Sequence, residues 1–179
     1  MKKLLKWLGI GVVAIIVLSV IFGGKGNNNS SSNNQNTANT TTAATAKINE
    51  PVQDGDLVFT AVSTETAAAL GGTYTRRQAQ GQFLVVTLKI ENKGKETKTV
   101  DSSMITLTDN QGRKFDRSIE GQTAKGLSQG KVDLFLQQVQ PGLSVTGDIV
   151  FDIPKDAEGL KLVVKESIFG KGKEISLEK

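Results

Sequence analysis

The chain has no cysteine and no histidine. Without cysteine there is no disulfide, no thiolate metal site, no thiol nucleophile and no residue to carry a lipoprotein lipid. Without histidine the usual general base and the commonest metal ligand are missing. Together these absences remove serine triads, Cys–His dyads, the usual zinc hydrolases and haem sites. The chain therefore reads as a non-enzyme, with no catalytic, cofactor-binding or metal-ligating residue assigned and no cofactor expected. Charge of one sign is also scarce where it would matter. The net charge is +4 and the pI about 9.3, which invites a nucleic-acid reading. Four of the 22 basic residues are Lys2, Lys3, Lys6 and Lys25; the remaining 18 lie from Lys47 onward, as do all 18 acidic residues. That stretch is neutral, and counterion release from phosphates needs a basic face. Nucleic acid is not expected as a partner.

Three segments follow one another. In the first, residues 1–24, three lysines precede the uncharged run Trp7–Gly24. At ~1.5 Å per residue this run spans ~27 Å as a helix, close to the ~30 Å hydrocarbon core of a bilayer. Lys6 can snorkel, Trp7 stands where an interfacial aromatic would, and the lysine excess predicts a cytoplasmic N-terminus with the rest outside. The expectation is a single-pass signal anchor, with membrane contact through residues 7–24. The alternative is a cleaved signal and a secreted product; a cut after Gly23 would leave Ile21 at −3, a poor match to the small residues cleavage prefers.

Residues 25–46 are mostly Asn, Ser, Thr, Ala and Gly. Such a tract cannot bury enough surface to offset ordering entropy, so it reads as a disordered linker. Its reading is a passive tether. Asn28, Asn29 and Asn39 head N-x-S/T triplets, so a sugar-attachment tract is the alternative.

Residues 47–179 carry the only pattern able to build a core. Leu84, Val86, Leu88 and Ile90 alternate along one face of a strand, which leaves Thr87 facing solvent. Leu57, Phe59 and Ala61 alternate similarly, as do Val132, Leu134 and Leu136. The same holds for Ile149, Phe151 and Ile153, and for Leu160, Leu162 and Val164. Ile105 with Leu107 and Ile175 with Leu177 are shorter pairs. Turn signals at Gly55, Lys93-Gly94, Asn110-Gln111-Gly112, Pro141-Gly142, Pro154 and Gly159 separate these runs. Ser63–Leu70 and Gln122–Leu127 are the only helix candidates. Seven or so short strands at this spacing predict an all-β, immunoglobulin-like antiparallel sandwich. The usual pins of that fold, a cysteine pair and a core tryptophan, are absent.

Several motifs fail on inspection. Ser128 and Lys131 have the S-x-x-K spacing of penicillin-binding enzymes, but Gly130 interrupts and no K-T-G follows. Gly126 to Lys131 is one residue short of a phosphate loop and lacks the following Ser or Thr. Asp54-Gly55-Asp56 and Asp109-Asn110-Gln111-Gly112 offer oxygens to calcium, but neither continues as a calcium loop, and hairpin turns want the same residues. Asp148 and Asp152 fall opposite Ile149 and Phe151, on a face expected to be solvated. The longest loop is expected before the central strand, in TAAALGGTYTRRQAQG. Long loops carry function, and Tyr and Arg are common interface anchors. Tyr74, Arg76 and Arg77 are the candidate contact residues.

Three stretches carry a resemblance. GQFLVVTLKIENKGKE, MITLTDNQGRKFD and VQPGLSVTGDIVFDIPKDAEGLKLVV resemble, in order, the central strand and turn, the next hairpin, and the Pro-Gly strand of a bacterial extracellular Ig-like family of unknown function. The resemblance covers about Lys47 to Lys179. It implies a fold like that of the mycobacterial secreted immunoprotective antigens. Some members carry a telomeric repeat-binding factor label, which the neutral charge here opposes. Copper chaperones of related fold use His and Met ligands without counterpart in this chain. The reading that results is a membrane-anchored extracellular module binding a protein or cell-envelope component. The alternative is a secreted or tethered structural or regulatory protein, including a small-ligand or metal carrier.

Overall fold

The computed structural model describes residues 45–129 and 133–178. The expected membrane span, most of the linker, and Gly130, Lys131 and Val132 lie outside the described residues. Among those described, no helix is long and apolar enough to cross a membrane.

Two antiparallel sheets form the sandwich. In the first, β1 (Val52–Asp54), β2 (Leu57–Leu70), β3 (Arg77–Asn92) and β8 (Ser144–Ile153) lie in that order. In the second the order is β10 (Lys173–Ser176), β9 (Lys161–Val164), β5 (Ile105–Thr108) and β6 (Lys114–Phe115). A two-residue ladder joins β4 (Lys98–Thr99) to β7 (Gln138–Val139). Ahead of β1, Ala46 makes a parallel bridge to Ile175 on β10.

Period two does what it promised in the centre. Leu84, Val86, Leu88 and Ile90 of β3 are buried in one core with Leu57, Phe59 and Ala61 of β2 and Ile149, Phe151 and Ile153 of β8. Ile105, Leu107, Leu162, Val164 and Ile175 close it from the other sheet. Among the described residues, every strand and every residue of this core lies between Ala46 and Leu177.

The opposite face of the first sheet is not solvated at its middle. Helix α1 (Ile119–Gln129) crosses it and covers a second apolar cluster of Phe83, Val85 and Val150. The expected helix at Gln122–Leu127 is thus present and longer. Ser118 Oγ accepts from Gly121 N at 3.1 Å and starts it. Gly121 lets it approach: a Cβ there would stand 2.7 Å from Val150 Cγ1 and 2.9 Å from Phe83 Cε1. Gln122 then completes the edge of β8. Its Nε2 donates to Asp148 O at 2.9 Å, and its Oε1 accepts from Val150 N at 3.1 Å. The side-chain amide stands in for a neighbouring strand.

This covering overturns two expectations about facing. Asp148 is buried, accepts from Thr87 Oγ1 at 2.7 Å and pairs with Lys125 of α1 at 3.5 Å. Thr87 is half-buried between them. Asp152 is also bound rather than free in solvent. Its carboxylate accepts from Gln80 N at 2.8 Å and Gly81 N at 3.2 Å.

Two segment assignments also change. Ser63–Leu70 is strand, not helix; its residues pair with β3 from Ser63↔Thr87 to Leu70↔Arg77, with bulges at Ala61/Ser63 and Ala67/Ala69. Ladder bonds to a long neighbour outweigh the helix propensity of three alanines. The run through Leu134 and Leu136 is not a strand. Leu134 and the adjacent Phe135 are both buried, whereas Leu136 is exposed with φ +65°. Asp133 organises this bend by accepting from Phe135 N at 3.0 Å and pairing with Arg117 at 3.1 Å. The Arg117 guanidinium in turn lies 4.4 Å from the Phe135 ring centre.

Candidate functional site

The anticipated long loop is mostly hairpin. Strand pairing between β2 and β3 runs to Leu70↔Arg77, leaving only Gly71–Arg76 as the tip. Gly71 has φ +101°, and a Cβ there would meet Thr75 O at 2.5 Å, so only glycine fits. A tight turn follows: Thr75 N donates to Gly72 O at 3.2 Å, and Gly72 N donates to Thr75 Oγ1 at 3.0 Å. Tyr74 sits on that turn and is 97% exposed. Arg76 and Arg77 are exposed beside it, and among the described residues neither is paired with a carboxylate. The three candidates are therefore brought to one tip.

The tip stands on a braced arm. Ladder pairing of β3 to β8 ends at Gln82↔Ile153, so the upper part of β3 outruns its neighbour. Asp152 fastens it there through Gln80 and Gly81. Leu70 and Ala79 pack from the two arms onto the cluster under α1. An exposed aromatic with two guanidinium groups, neither on a carboxylate among the described residues and one donating to Arg76 O at 3.1 Å, can stack, donate in a fork and bind carboxylate or phosphate.

The two acidic turns are satisfied internally. Asp109 accepts from Gln111 N at 3.0 Å, Arg113 N at 2.9 Å and Arg113 Nε at 2.6 Å. Burial pushes its carboxyl up, but the Arg113 guanidinium and these N–H groups outweigh that and hold it below the usual range. At the other turn, Asp54 Oδ2 accepts from Glu166 N at 2.8 Å, and Glu166 Oε2 accepts from Asp56 N at 3.0 Å. The Lys98 ammonium lies 2.7 Å from Glu166 and 3.4 Å from Asp56, occupying the place a cation would take. Glu166 is lowered by Lys98 against the opposing effect of burial, and Lys98 is raised by Glu166. Among the described residues no group of three His, Cys, Asp or Glu is arranged to hold a metal. Ser128 of the S-x-x-K spacing ends α1 with its hydroxyl on Lys125 O at 2.9 Å, and Lys131 lies outside the described residues.

A pH dependence follows. Asp109 and Glu166 have lowered folded-state values, so their contributions are complete above the ordinary carboxylate range and vanish as pH falls through the folded values. Lys98, raised, contributes fully below its ordinary value of 10.5 and loses this only above it. No histidine exists to titrate between. The urea midpoint should be flat from about pH 5 to 9 and drop below about pH 4. A step near pH 6.5 would contradict these assignments. Glu166→Gln should blunt the acid drop.

Sequence reasoning missed the Lys125–Asp148–Thr87 contact and the exposed pair Ile168 and Phe169 between β9 and β10. The first needed α1 placed on the sheet. The second had a signal, since Ser-Ile-Phe-Gly-Lys-Gly-Lys breaks the alternation with apolar residues set among glycines and lysines.

The chain resembles solved structures in fold. A conserved hypothetical protein from Bacillus anthracis is 13% identical with TM-score 0.56, covering 72% of this chain and 94% of its own. The yjhA protein from Bacillus subtilis is 15% identical with TM-score 0.56, covering 74% and 99%. MPT63, a secreted protein from Mycobacterium tuberculosis, is 16% identical with TM-score 0.54, covering 75% and 96%. The last is the mycobacterial antigen fold that the resemblance implied. No curated protein matches the sequence. The family described as "Domain of unknown function (DUF4352)" matches residues 46–175, and the chain belongs to it.

Proposed function

We propose that this chain is a non-catalytic binding module, held at the outer face of the cell membrane by residues 7–24, whose hairpin tip captures a protein or cell-envelope component. The observation that carries it is the tip itself. Tyr74 is 97% exposed on a turn whose shape Gly71 dictates, with Arg76 and Arg77 exposed beside it and without a carboxylate partner among the described residues. A fixed turn spares the backbone ordering cost on binding, and Tyr and Arg are enriched among the residues that dominate interface energetics. Fold likeness to a secreted protein is compatible with external display. The internal use of every carboxylate in the two acidic turns weighs against the metal-carrier alternative.

A photo-crosslinking amino acid at position 74 should yield a discrete adduct in intact cells. Arg76→Ala with Arg77→Ala should remove the adduct. Tyr74→Ala, Arg76→Ala and Arg77→Ala together should move the thermal midpoint by no more than about 2 °C, since exposed positions contribute little to stability. Equal adducts from a crosslinker at Ser103 would place the contact elsewhere. A protease added to spheroplasts should digest the domain; a protected domain would refute external display.

A further inference from the structure

We propose that the β9–β10 loop, Lys165–Gly172, is a membrane-contact tip that sets the domain on an anionic bilayer at the end opposite the hairpin. The proposal adds a second surface to the function above and does not depend on the hairpin's partner.

Phe169 is 92% exposed and Ile168 is 59% exposed. Isolated apolar residues on a surface are ordinary, but these are adjacent at the outermost point of a loop. Lys165, Lys171 and Lys173 flank them, and Lys171 and Lys173 are exposed with no carboxylate partner among the described residues. Glu166, the only acid in the loop, is taken up by Lys98 and by Asp56 N. The exposed chemistry is thus an aromatic, an aliphatic and the ammonium groups of Lys171 and Lys173, with Lys165 Nζ donating back to Ile168 O at 3.5 Å. That set matches the headgroup boundary of an anionic membrane, where aromatic rings settle and lysines meet phosphates.

The loop is held in shape at its base. Glu166 N donates to Asp54 on the β1–β2 turn at 2.8 Å, and Gly170 N donates to Ser167 O at 2.9 Å. The exposed side chains therefore project from a loop braced at its base.

Chain direction supplies the second argument. Ala46 pairs in parallel with Ile175, through Ala46 N to Glu174 O and Ser176 N to Ala46 O. The backbone thus enters the domain from the side of Lys173 and this loop. Ahead of it the sequence carries the uncharged run Trp7–Gly24 and a polar linker of residues 25–44. A flexible chain of that length has an r.m.s. span of ~25 Å, short enough to allow the loop to reach a bilayer. Meanwhile β2 starts at Leu57 beside the loop's base and ends at Leu70, so the hairpin tip stands ~45 Å away along a 14-residue strand. A bilayer under the loop leaves Tyr74 pointing outward.

The test uses residues 45–179, which contain every strand and core residue described above. The chain's single tryptophan is Trp7, so Phe169→Trp in this fragment gives a lone reporter. With vesicles of phosphatidylglycerol and phosphatidylcholine in equal parts, its emission should shift to the blue and be quenched by brominated acyl chains. Pure phosphatidylcholine should bind at least tenfold less, and 0.5 M salt should weaken binding. Tyr74→Trp in the same fragment should remain solvent-like. Ile168→Asp with Phe169→Asp should reduce vesicle co-sedimentation at least tenfold with the thermal midpoint unchanged. An unshifted reporter at 169, equal quenching at 74, or undiminished sedimentation of the double variant overturns the proposal. So does a crosslinker at 169 that captures protein instead of lipid in cells. The crosslink at 74 is read separately, so failure of either surface leaves the other intact.

Discussion

Val86→Asp is expected to leave no stably folded domain at room temperature. Val86 is fully buried at the middle of β3, opposite Thr64 on β2 and Ile149 on β8. An aspartate there is set into an aliphatic and aromatic core. The cost of an unpaired buried charge, several kcal/mol even if it is paid by protonation, is comparable to the ~5–15 kcal/mol stability of a whole domain. Far-UV circular dichroism and urea titration of residues 45–179 read the result directly. Lys89→Gln, three positions along on the other face, should change stability by less than about 0.5 kcal/mol, since its ion pair with Glu91 is exposed. Thr87→Asp falls between. It was expected to be harmless on a solvated face; instead it removes a donor from Asp148 and sets a second carboxylate beside it, for about 1–3 kcal/mol. A well-folded Val86→Asp variant would show that the centre of β3 is not core.

The contrast between Val86 and Thr87 shows where the sequence was legible. Alternation reports that one face is buried, and it did so for β2, β3, β5, β8 and β9. It cannot report what lies on the other face. Phe83, Val85 and Val150 carried that information, because apolar residues on both faces mean cover on both sides. The helix that supplies the cover is weakly patterned, and its key contacts are made by Gly121 and Gln122, which read as polar filler. Alternation also misled at Leu134 and Leu136. The spacing fitted a strand, but a left-handed residue at 136 and a carboxylate cap from Asp133 produce a bend.

The hairpin tip proposed as a contact surface was legible in composition and not in shape. Gly71-Gly72 marked a turn, and Tyr74, Arg76 and Arg77 lay where expected, but the surrounding Thr and Ala residues extend the hairpin arms instead of loosening a loop. Register shifts at Ala61/Ser63 and Ala67/Ala69 interrupt the pairing on the way, and the second leaves Ala79–Gln82 of β3 outside the ladder to β2. The loop at Ile168 and Phe169 broke the alternation among glycines and lysines, but that break alone does not say whether the apolar pair is exposed or in the core. Only placement after β9, whose Leu162 and Val164 already fill the core, makes the difference.

Asp148→Leu should cost about 3–5 kcal/mol, the second-largest loss expected in the molecule. The carboxylate sits under α1 and is 3.5 Å from Lys125 Nζ, with both side chains less than a tenth exposed. Thr87 donates to its other oxygen at 2.7 Å. Removing the carboxylate leaves the Lys125 ammonium buried without its counter-charge, and it removes the acceptor that Thr87 uses. Leucine restores volume, so the loss is electrostatic and not a cavity effect. The double variant Lys125→Met with Asp148→Leu should regain most of it, because an apolar pair of similar size escapes both desolvation penalties. Urea denaturation of the three proteins gives the coupling, and hydrogen exchange at the α1 amides says where it acts. The single variant should speed exchange in α1 before it touches β3, since Lys125 ties the helix to the sheet. Asp152→Asn is a comparison without a buried cation: Oδ2 accepts from Gln80 N and Oδ1 from Gly81 N, so the amide keeps one of these bonds, turns a donor toward the other N–H, and should lose less than Asp148→Leu. If Asp148→Leu loses less than about 1 kcal/mol, the lysine reaches water when its partner is gone. The position of α1, and with it the cover over Phe83 and Val85 beneath the hairpin arm, would then rest on Gln122 and Gly121 alone.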